Sequence, residues 1–308
     1  MDPVTHAVIG MAVSKATGNG ISLTDPVSMC IIAGAMFPDI DIVLQKWGDY
    51  VYLKNHRGLT HSIFGLAVSS VLIAIVMGKI FHYPDVFALF WWSLLGCASH
   101  TAFDILNSYG AKLLWPLTNK KFSMGLLTTF DPVFFGSLVG FTAGTGMLQK
   151  VSLTIFLVYL AARMLLRFRA KRDLRTEFAE DFDRIYLLPS MIGVFRWHFV
   201  LEKPDCNIIG EKKLFNPAVN IIKVMDRNQD SDVDRAMLSP LGQFFREFTP
   251  VFHVGCEKNG DVTKYIFTDM RYCVKDRFLH HGLLELDEDD NIVSSFFCPY
   301  SINRKVEV

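Results

Sequence analysis

The chain has 308 residues, 51% of them hydrophobic, and its 31 basic and 31 acidic side chains leave a formal charge of +0. That length makes one large domain or two ordinary ones, and the neutral balance gives no reason to expect nucleic acid as a partner. Six cysteines without a C-x-x-C pair argue against a disulfide framework or a thiolate zinc site and point to a reducing compartment.

The average conceals two halves. Up to about residue 168 the sequence runs in long apolar stretches; beyond it lies most of the charge, as in R-F-R-A-K-R-D-L-R and L-D-E-D-D-N. The N-terminus, M-D-P-V-T-H-A-V-I-G, lacks the basic region and small-residue cleavage site of a secretory signal and is expected to be retained. Val4 to Ala16 and Val27 to Leu44 read as shorter helices packed inside a bundle, the second interrupted by Pro38-Asp39. Ser62 to Phe81, Val86 to Leu106, Pro132 to Leu148 and Val151 to Phe168 are apolar over the 17 to 25 residues of a spanning helix.

Loop charges orient these helices. Lys46, Lys54 and Arg57 precede the Ser62 helix, Lys112, Lys120 and Lys121 follow the Val86 helix, and Arg163, Arg167, Arg169, Lys171, Arg172 and Arg175 close the last, whereas the loops at His82-Tyr83-Pro84-Asp85 and Gln149-Lys150 are nearly uncharged. Taking the basic loops as cytoplasmic predicts a multi-pass protein with a cytoplasmic C-terminal half.

The same arrangement gathers the metal-type residues at one depth: His6, Asp39 and Asp41 in F-P-D-I-D-I, His56 and His61 in N-H-R-G-L-T-H-S, and His100 and Asp104 in S-H-T-A-F-D. Ionisable groups in an apolar frame need a partner, a water-filled cavity or a metal, and imidazole with carboxylate suits zinc and similar divalent ions. His100 and Asp104, four apart, share one helix face. Asp39 and Asp41, two apart after a proline, are read as extended and facing opposite ways, so Asp39 is the expected ligand while Asp41 orients a histidine from behind. Thr60 or Ser62 can cap the following helix, and Arg57 offers a charged fork suited to phosphate or carboxylate. Of the two loop histidines, His61 is the better-held ligand and His56 a second ligand, a proton donor or a substrate contact. Asp131, in T-F-D-P, reads as a helix cap; His82, His198, His253, His280 and His281 lack acids at ligand spacing and are read as non-ligands.

With these motifs, T-H, P-D-I-D, N-H-R-G-L-T-H-S, H-T-A-F-D-I-L-N-S-Y-G with the following W-P, and F-D-P, the chain resembles over residues 1 to 168 the YdjM/YfhP-type family, classed as membrane-bound metal-dependent hydrolases of bacteria. The order His, Pro-Asp, His, H-x-x-x-D is also similar to that of zinc-dependent phospholipases C and single-strand-specific zinc nucleases. That resemblance implies His6, Asp39, His56 or His61, His100 and Asp104 as ligands. The later His and H-x-x-x-E of those enzymes are absent here, so the resemblance implies one or two ions rather than three.

From Tyr186 onward the runs shorten and become strand-like between Gly, Pro and Asn turn signals, with a hairpin expected at Asn259-Gly260 and a helix within Met237 to Phe248. The expected fold is mainly α: a membrane bundle of about four to six helices over residues 1 to 170, then a small cytoplasmic α+β domain over 171 to 308. The expected function is an integral-membrane metal-dependent hydrolase of a bacterial cytoplasmic membrane. Its site lies at the cytoplasmic face, with His6, Asp39, His61, His100 and Asp104 on one or two divalent ions, zinc foremost, and Arg57, His56 and Asp41 in catalysis. The substrate is expected to be a phosphoester or lipid-like small molecule drawn from membrane lipid. The alternative is a non-catalytic metal-binding membrane protein whose C-terminal domain binds a protein partner or regulates.

Overall fold

The computed structural model describes residues 1–179, 181–191, 193–214, 216, 218–227, 230–274 and 277–308. Its first part contains α1 (Pro3–Ala16), α2 (Pro26–Met36), a 3-10 helix (Phe37–Trp47), α3 (Asp49–Asn55), a 3-10 turn (Leu59–His61), α4 (Ile63–Ile80), α5 (Val86–Leu106), α6 (Pro132–Ala143) and α7 (Gly146–Glu177). The starts of these helices follow side-chain chemistry. Asp2, Asp25, Ser62, Asp85 and Asp131 each accept a backbone N–H of the first turn, and Pro3, Pro26 and Pro132 occupy positions where no N–H is needed.

Two units divide the chain. One comprises Met1–Leu44 and Asn55–Leu165, the other Gln45–Lys54 and Leu166–Val308. In the first, the helices pair as antiparallel hairpins. Ser14 meets Ser28 between α1 and α2, a Cβ at Gly78 of α4 would touch Val86 at the start of α5, and Phe134 of α6 lies against Phe156 of α7. The closest crossing is that of α2 on α5. A Cβ at Gly34 would fall 2.4 Å from the Ser93 carbonyl oxygen and one at Gly96 2.2 Å from that of Ile31, so only glycine permits this approach.

Four helical stretches are long and apolar enough to cross a membrane: Pro26–Trp47, Ile63–Ile80, Val86–Leu106 and Gly146–Glu177. Their outward faces carry residues such as Phe64, Val68, Leu72, Val76, Leu157, Val158 and Leu165, all exposed, the pattern of helices bathed in lipid rather than water. The protein is a membrane protein. The expected span at Pro132 to Leu148 is corrected: α6 has 12 residues and stops where Gly144 turns extended and Gly146 adopts φ +54°, too short to cross alone. Pro26–Trp47, read as a short packed helix, is instead long enough because a 3-10 helix continues α2 through Pro38.

The second unit is built on antiparallel sheets. One has strands β1 (Arg184–Pro189), β2 (Arg196–Glu202), β3 (Cys206–Lys213) and β4 (Val219–Asp226) in sequence order. Then come α8 (Asp230–Leu238), α9 (Pro240–Phe248), β5 (Phe252–Asn259), β6 (Val262–Asp269), the hairpin of β7 (Cys273–Val274) with β8 (Arg277–Phe278), β9 (His281–Leu286), β10 (Ile292–Cys298) and β11 (Val306–Glu307). The second sheet has the order β11-β10-β9-β6-β5. The Asn259-Gly260 hairpin is present, with Asn259 opposite Val262 and Gly260 at φ +61°. Pro240 opens α9 behind the Ser239 cap, so the helix expected within Met237 to Phe248 occupies the later residues of that stretch. Ile192, within the strand-like run after Tyr186, lies outside the described residues. α9 lays Leu241, Phe244, Phe245 and Phe248 on the five-stranded sheet. Tyr50 and Leu53, from the loop that carries α3, complete that core, Tyr50 packing on Phe244 with ring centroids 4.9 Å apart.

Candidate metal centre

Four residues from three parts of the first unit converge. Asp39 comes from the 3-10 helix after α2, His61 from the turn before α4, and His100 and Asp104 from one face of α5. Each offers one ligand atom, and these lie within 4.8 Å of one another. His61 Nε2 is 3.1 Å from His100 Nε2, 3.4 Å from Asp104 Oδ2 and 3.6 Å from Asp39 Oδ1. His100 Nε2 is 3.5 Å from Asp39 Oδ1 and 3.6 Å from Asp104 Oδ2. A tetrahedron whose corners stand about 2.0–2.2 Å from a central ion has edges of about 3.3–3.6 Å; four of the five separations fall in that range and the His61–His100 one is slightly shorter, so the cluster could hold a divalent cation.

The protonation pattern agrees. His100 Nδ1 donates to the Ala35 carbonyl oxygen at 2.7 Å, which fixes the ring with Nε2 towards the cluster. His61 Nδ1 faces the Thr60 hydroxyl at 3.0 Å and the Asp41 carboxylate at 3.8 Å, so its Nε2 is likewise turned inward. Asp104 Oδ2 is buried without a hydrogen-bond partner. Two imidazole nitrogens and two carboxylate oxygens meet in one buried place, an arrangement that a cation compensates. Burial pulls the His61 imidazole down, but the carboxylates of Asp104, Asp39 and Asp41 outweigh it and hold the ring above its ordinary value. The field of the pocket favours positive charge.

The other oxygen of Asp104 faces cationic and donor groups. Oδ1 takes Arg57 Nη2 at 3.1 Å, His6 Nε2 at 3.3 Å and the Met1 amino group. His6 is stacked on His100, centroids 3.6 Å apart, and so stands beside the four-atom cluster rather than within it; its Nδ1 is buried without a partner. Arg57 is itself buried, at φ +60°, with Nη1 donating to the Gly110 carbonyl oxygen and its guanidinium over the Tyr109 ring, while Nε has no partner. A left-handed arginine is costly unless its surroundings hold it, and here its own N–H donates to Asp41 Oδ2 at 2.9 Å.

Asp41 is the hub behind the centre. Its carboxylate accepts from His56 Nδ1 at 3.0 Å, from the Arg57 N–H and from the Thr60 hydroxyl. Burial holds His56 below its ordinary value in spite of that carboxylate, so the ring is a neutral donor to Asp41 near neutral pH. Asp39 and Asp41 lie in a 3-10 helix and not in the extended segment expected; at three residues per turn, a spacing of two still sends them to different faces. Ser62, not Thr60, caps α4, by accepting from Gly65 N–H. Asp131 caps α6 and also accepts the Tyr159 hydroxyl at 2.6 Å. Two further residues stand at the site without a ligand-type pattern to mark them, Tyr109 and Lys112. Lys112 is buried, and its N–H donates to the Arg57 carbonyl oxygen. The sequence signal for Tyr109 is the H-T-A-F-D-I-L-N-S-Y-G run that carries it beside Asp104; Lys112 follows that run by two residues.

A fold of apolar helices around a buried His/Asp centre is joined to a sheet domain, and comparison with known families places it. Residues 1–172 match the family of the YdjM inner membrane protein, and residues 232–305 match the YfhP C-terminal alpha/beta plait domain. The chain belongs to the YdjM inner membrane protein family. It is also similar over most of its length to an uncharacterized protein, YfhP, of Bacillus subtilis strain 168, at 28% identity over 312 residues covering 96% of this chain and 94% of that protein. No solved structure matches it.

Proposed function

We propose that this protein is an integral-membrane, metal-dependent hydrolase that uses zinc and acts on a phosphoester of lipid-like character at the cytoplasmic face. The observation that carries the reading is the junction at Asp104, where one carboxylate oxygen joins the acceptor cluster and the other holds Arg57. Asp39, His61, His100 and Asp104 would hold the ion, which supplies Lewis acidity and activates water near neutral pH. Arg57 places a partner-free Nε–H next to that centre, suited to a phosphoryl oxygen as negative charge develops on it. His56, oriented by Asp41 through Nδ1 and partly solvent-exposed, would take up a proton from solvent at Nε2 and pass it to a leaving group. Asp39 is the member of the cluster with some exposure, so water or substrate would approach there.

Orientation is supported by an argument of parity. Tyr50, between the first apolar stretch and α4, packs in one core with Phe244 and Phe297, so that loop and the C-terminal unit lie on the same side of the membrane. An even number of crossings then separates them: α4 and α5 form one pair, and α6, too short to cross alone, would have to accompany α7 as a return. The density of Lys and Arg in these segments supports the reading that this side is cytoplasmic.

A second reading has its own observation. Four protein ligands saturate a tetrahedral ion, which is the mark of a structural or sensing site rather than a catalytic one. In it the protein is a non-catalytic metal-binding membrane protein whose C-terminal unit engages a protein partner. Metal analysis of detergent-purified protein, paired with hydrolysis of phospholipid and of a soluble phosphodiester, separates the two. Metal at about one ion per chain with hydrolysis lost in Arg57→Ala supports the hydrolase. Full metal occupancy without turnover of either substrate supports the second reading, and a metal content unaffected by His100→Ala would remove both.

A further inference from the structure

The second unit contains a cavity of about 600 Å³ remote in sequence from the metal centre, within the range of pockets that hold small ligands. It lies where β1 and β3 of the four-stranded sheet approach α9 and the start of β5. Its lining is graded. Arg184, Arg227 and Arg246 are exposed, whereas Asn207 and His253 are buried at 3% and 7% exposure. Asn207 Nδ2 meets His253 Nδ1 at 3.2 Å, and the Asn207 Oδ1 atom is buried without a partner.

We propose that this cavity is a binding site for a small phosphate-bearing molecule, independent of the metal centre. Three guanidiniums on one cavity exceed the two acids there, Asp183 and Glu202, and planar forks of this kind suit phosphate oxygens. Arg227 is held by a bond from Nη1 to the Lys203 carbonyl oxygen at 3.1 Å, leaving its remaining N–H groups for a ligand. On the inner wall the His253 ring is neutral: burial, reinforced by Arg227 and Lys223, pushes it down to about 4. With Nδ1 accepting from Asn207, its proton sits on Nε2 as a further donor. Oδ1 of Asn207 asks for a donor from the organic part of the ligand, since a buried acceptor left unmatched is costly. A bridging water would satisfy that atom, but it would not account for three arginines. The ligand class is thus an anion carrying a hydrogen-bond donor, held by residues from both sheets and from α9, so that occupancy would brace these parts of the unit against one another.

The test is calorimetric titration of the full-length protein in detergent with pyrophosphate as the minimal probe and citrate as the carboxylate comparison. The expected result is saturable pyrophosphate binding with a dissociation constant below about 1 mM. It weakens about tenfold or more in Arg227→Gln/Arg246→Gln, whose exposed side chains can change without loss of the fold. Asn207→Asp, which sets a carboxylate against the anion, is expected to abolish it. Binding that persists undiminished in both variants belongs elsewhere, the metal centre included, and overturns the proposal. So does the absence of saturable binding in the unaltered protein up to about 10 mM. Citrate bound as tightly as pyrophosphate would overturn the phosphate class.

Discussion

Replacement of Gly96 by alanine should empty the metal centre without touching any ligand. The added Cβ would stand 2.2 Å from the Ile31 carbonyl oxygen and 3.0 Å from the Ala35 amide nitrogen, both backbone atoms that no rotamer change can move. Restoring the 3.4 Å of ordinary contact from 2.2 Å requires α2 and α5 to part by about 1.2 Å. The first bond to suffer is His100 Nδ1 to the Ala35 carbonyl oxygen, 2.7 Å long, which that displacement carries out of hydrogen-bonding range. Asp39, carried on the continuation of α2, retreats from His61 and His100 at the same time, so distances of 3.5 and 3.6 Å widen beyond what one ion spans. Loss of a supporting hydrogen bond alone weakens metal sites about 10–100-fold, and the ligand displacement adds to it. Equilibrium dialysis of the purified variant against buffered zinc, read by elemental analysis, measures the affinity. Gly136→Ala, where nothing lies within 4 Å of the new Cβ, is the matched control and should bind as the parent does. Unchanged zinc affinity in Gly96→Ala would refute the view that the close crossing of α2 on α5 sets the geometry of the centre.

His61→Ala should lower bound metal sharply, whereas His56→Ala should lower turnover with less loss of metal, because His61 Nε2 is one of the four converging atoms and His56 acts through Asp41; full metal retention in His61→Ala would show the roles reversed. Stability of the second unit should fall with acid. His253 and His280 are pushed down to about 4, chiefly by burial, so the unfolded chain takes up protons that the folded one refuses, and the stability present above the unfolded value near 6.5 is lost as pH drops towards 4. Amide exchange of β5 and β6 in the full-length protein should accelerate across that interval, and a flat profile would refute the assignment of neutral buried rings. Cysteines introduced at Asp85 and at Arg175 should label from opposite faces of the membrane, Arg175 from the cytoplasmic one; labelling from a single face would defeat both the loop-charge and the parity arguments.

The residues that meet at the centre stand out in the sequence because the surroundings of each are apolar, so a His or Asp there has no ordinary solvent to explain it. Spacing carries the pairing of His100 with Asp104, since four residues return to the same side of a helix. What the sequence does not reveal is the division of labour within Asp104, whose oxygens face different neighbours; that follows from the left-handed turn at Arg57, which no local pattern announces. The centre also depends on Gly34 and Gly96, single residues whose role appears only once two helices are laid across each other. In the second unit, alternating runs and the Asn259-Gly260 turn make β5, β6 and β10 of the five-stranded sheet legible, but not β9 or the two-residue β11. α8 was not, because its short stretch of Asp, Arg and Met reads equally as a solvated loop. Nor was the destination of Tyr50, for its apolar partners come far later in the chain.

That long-range packing has a consequence for biosynthesis. The segment around Tyr50 leaves the ribosome roughly two hundred residues before Phe244 and Phe297, a delay of about 10–40 s at ordinary rates of elongation. Throughout that interval the nascent chain holds an aromatic side chain whose hydrophobic shelter does not yet exist, while the helices on either side of it are already entering the bilayer. The C-terminal unit is accordingly not something a truncated gene product can assemble in full: a fragment starting after α7 lacks a piece of its own interior, and a chain cut short before α9 leaves that piece exposed to chaperones and proteases. Quality control of this protein would read completion of its last sixty or so residues at a loop made near the beginning.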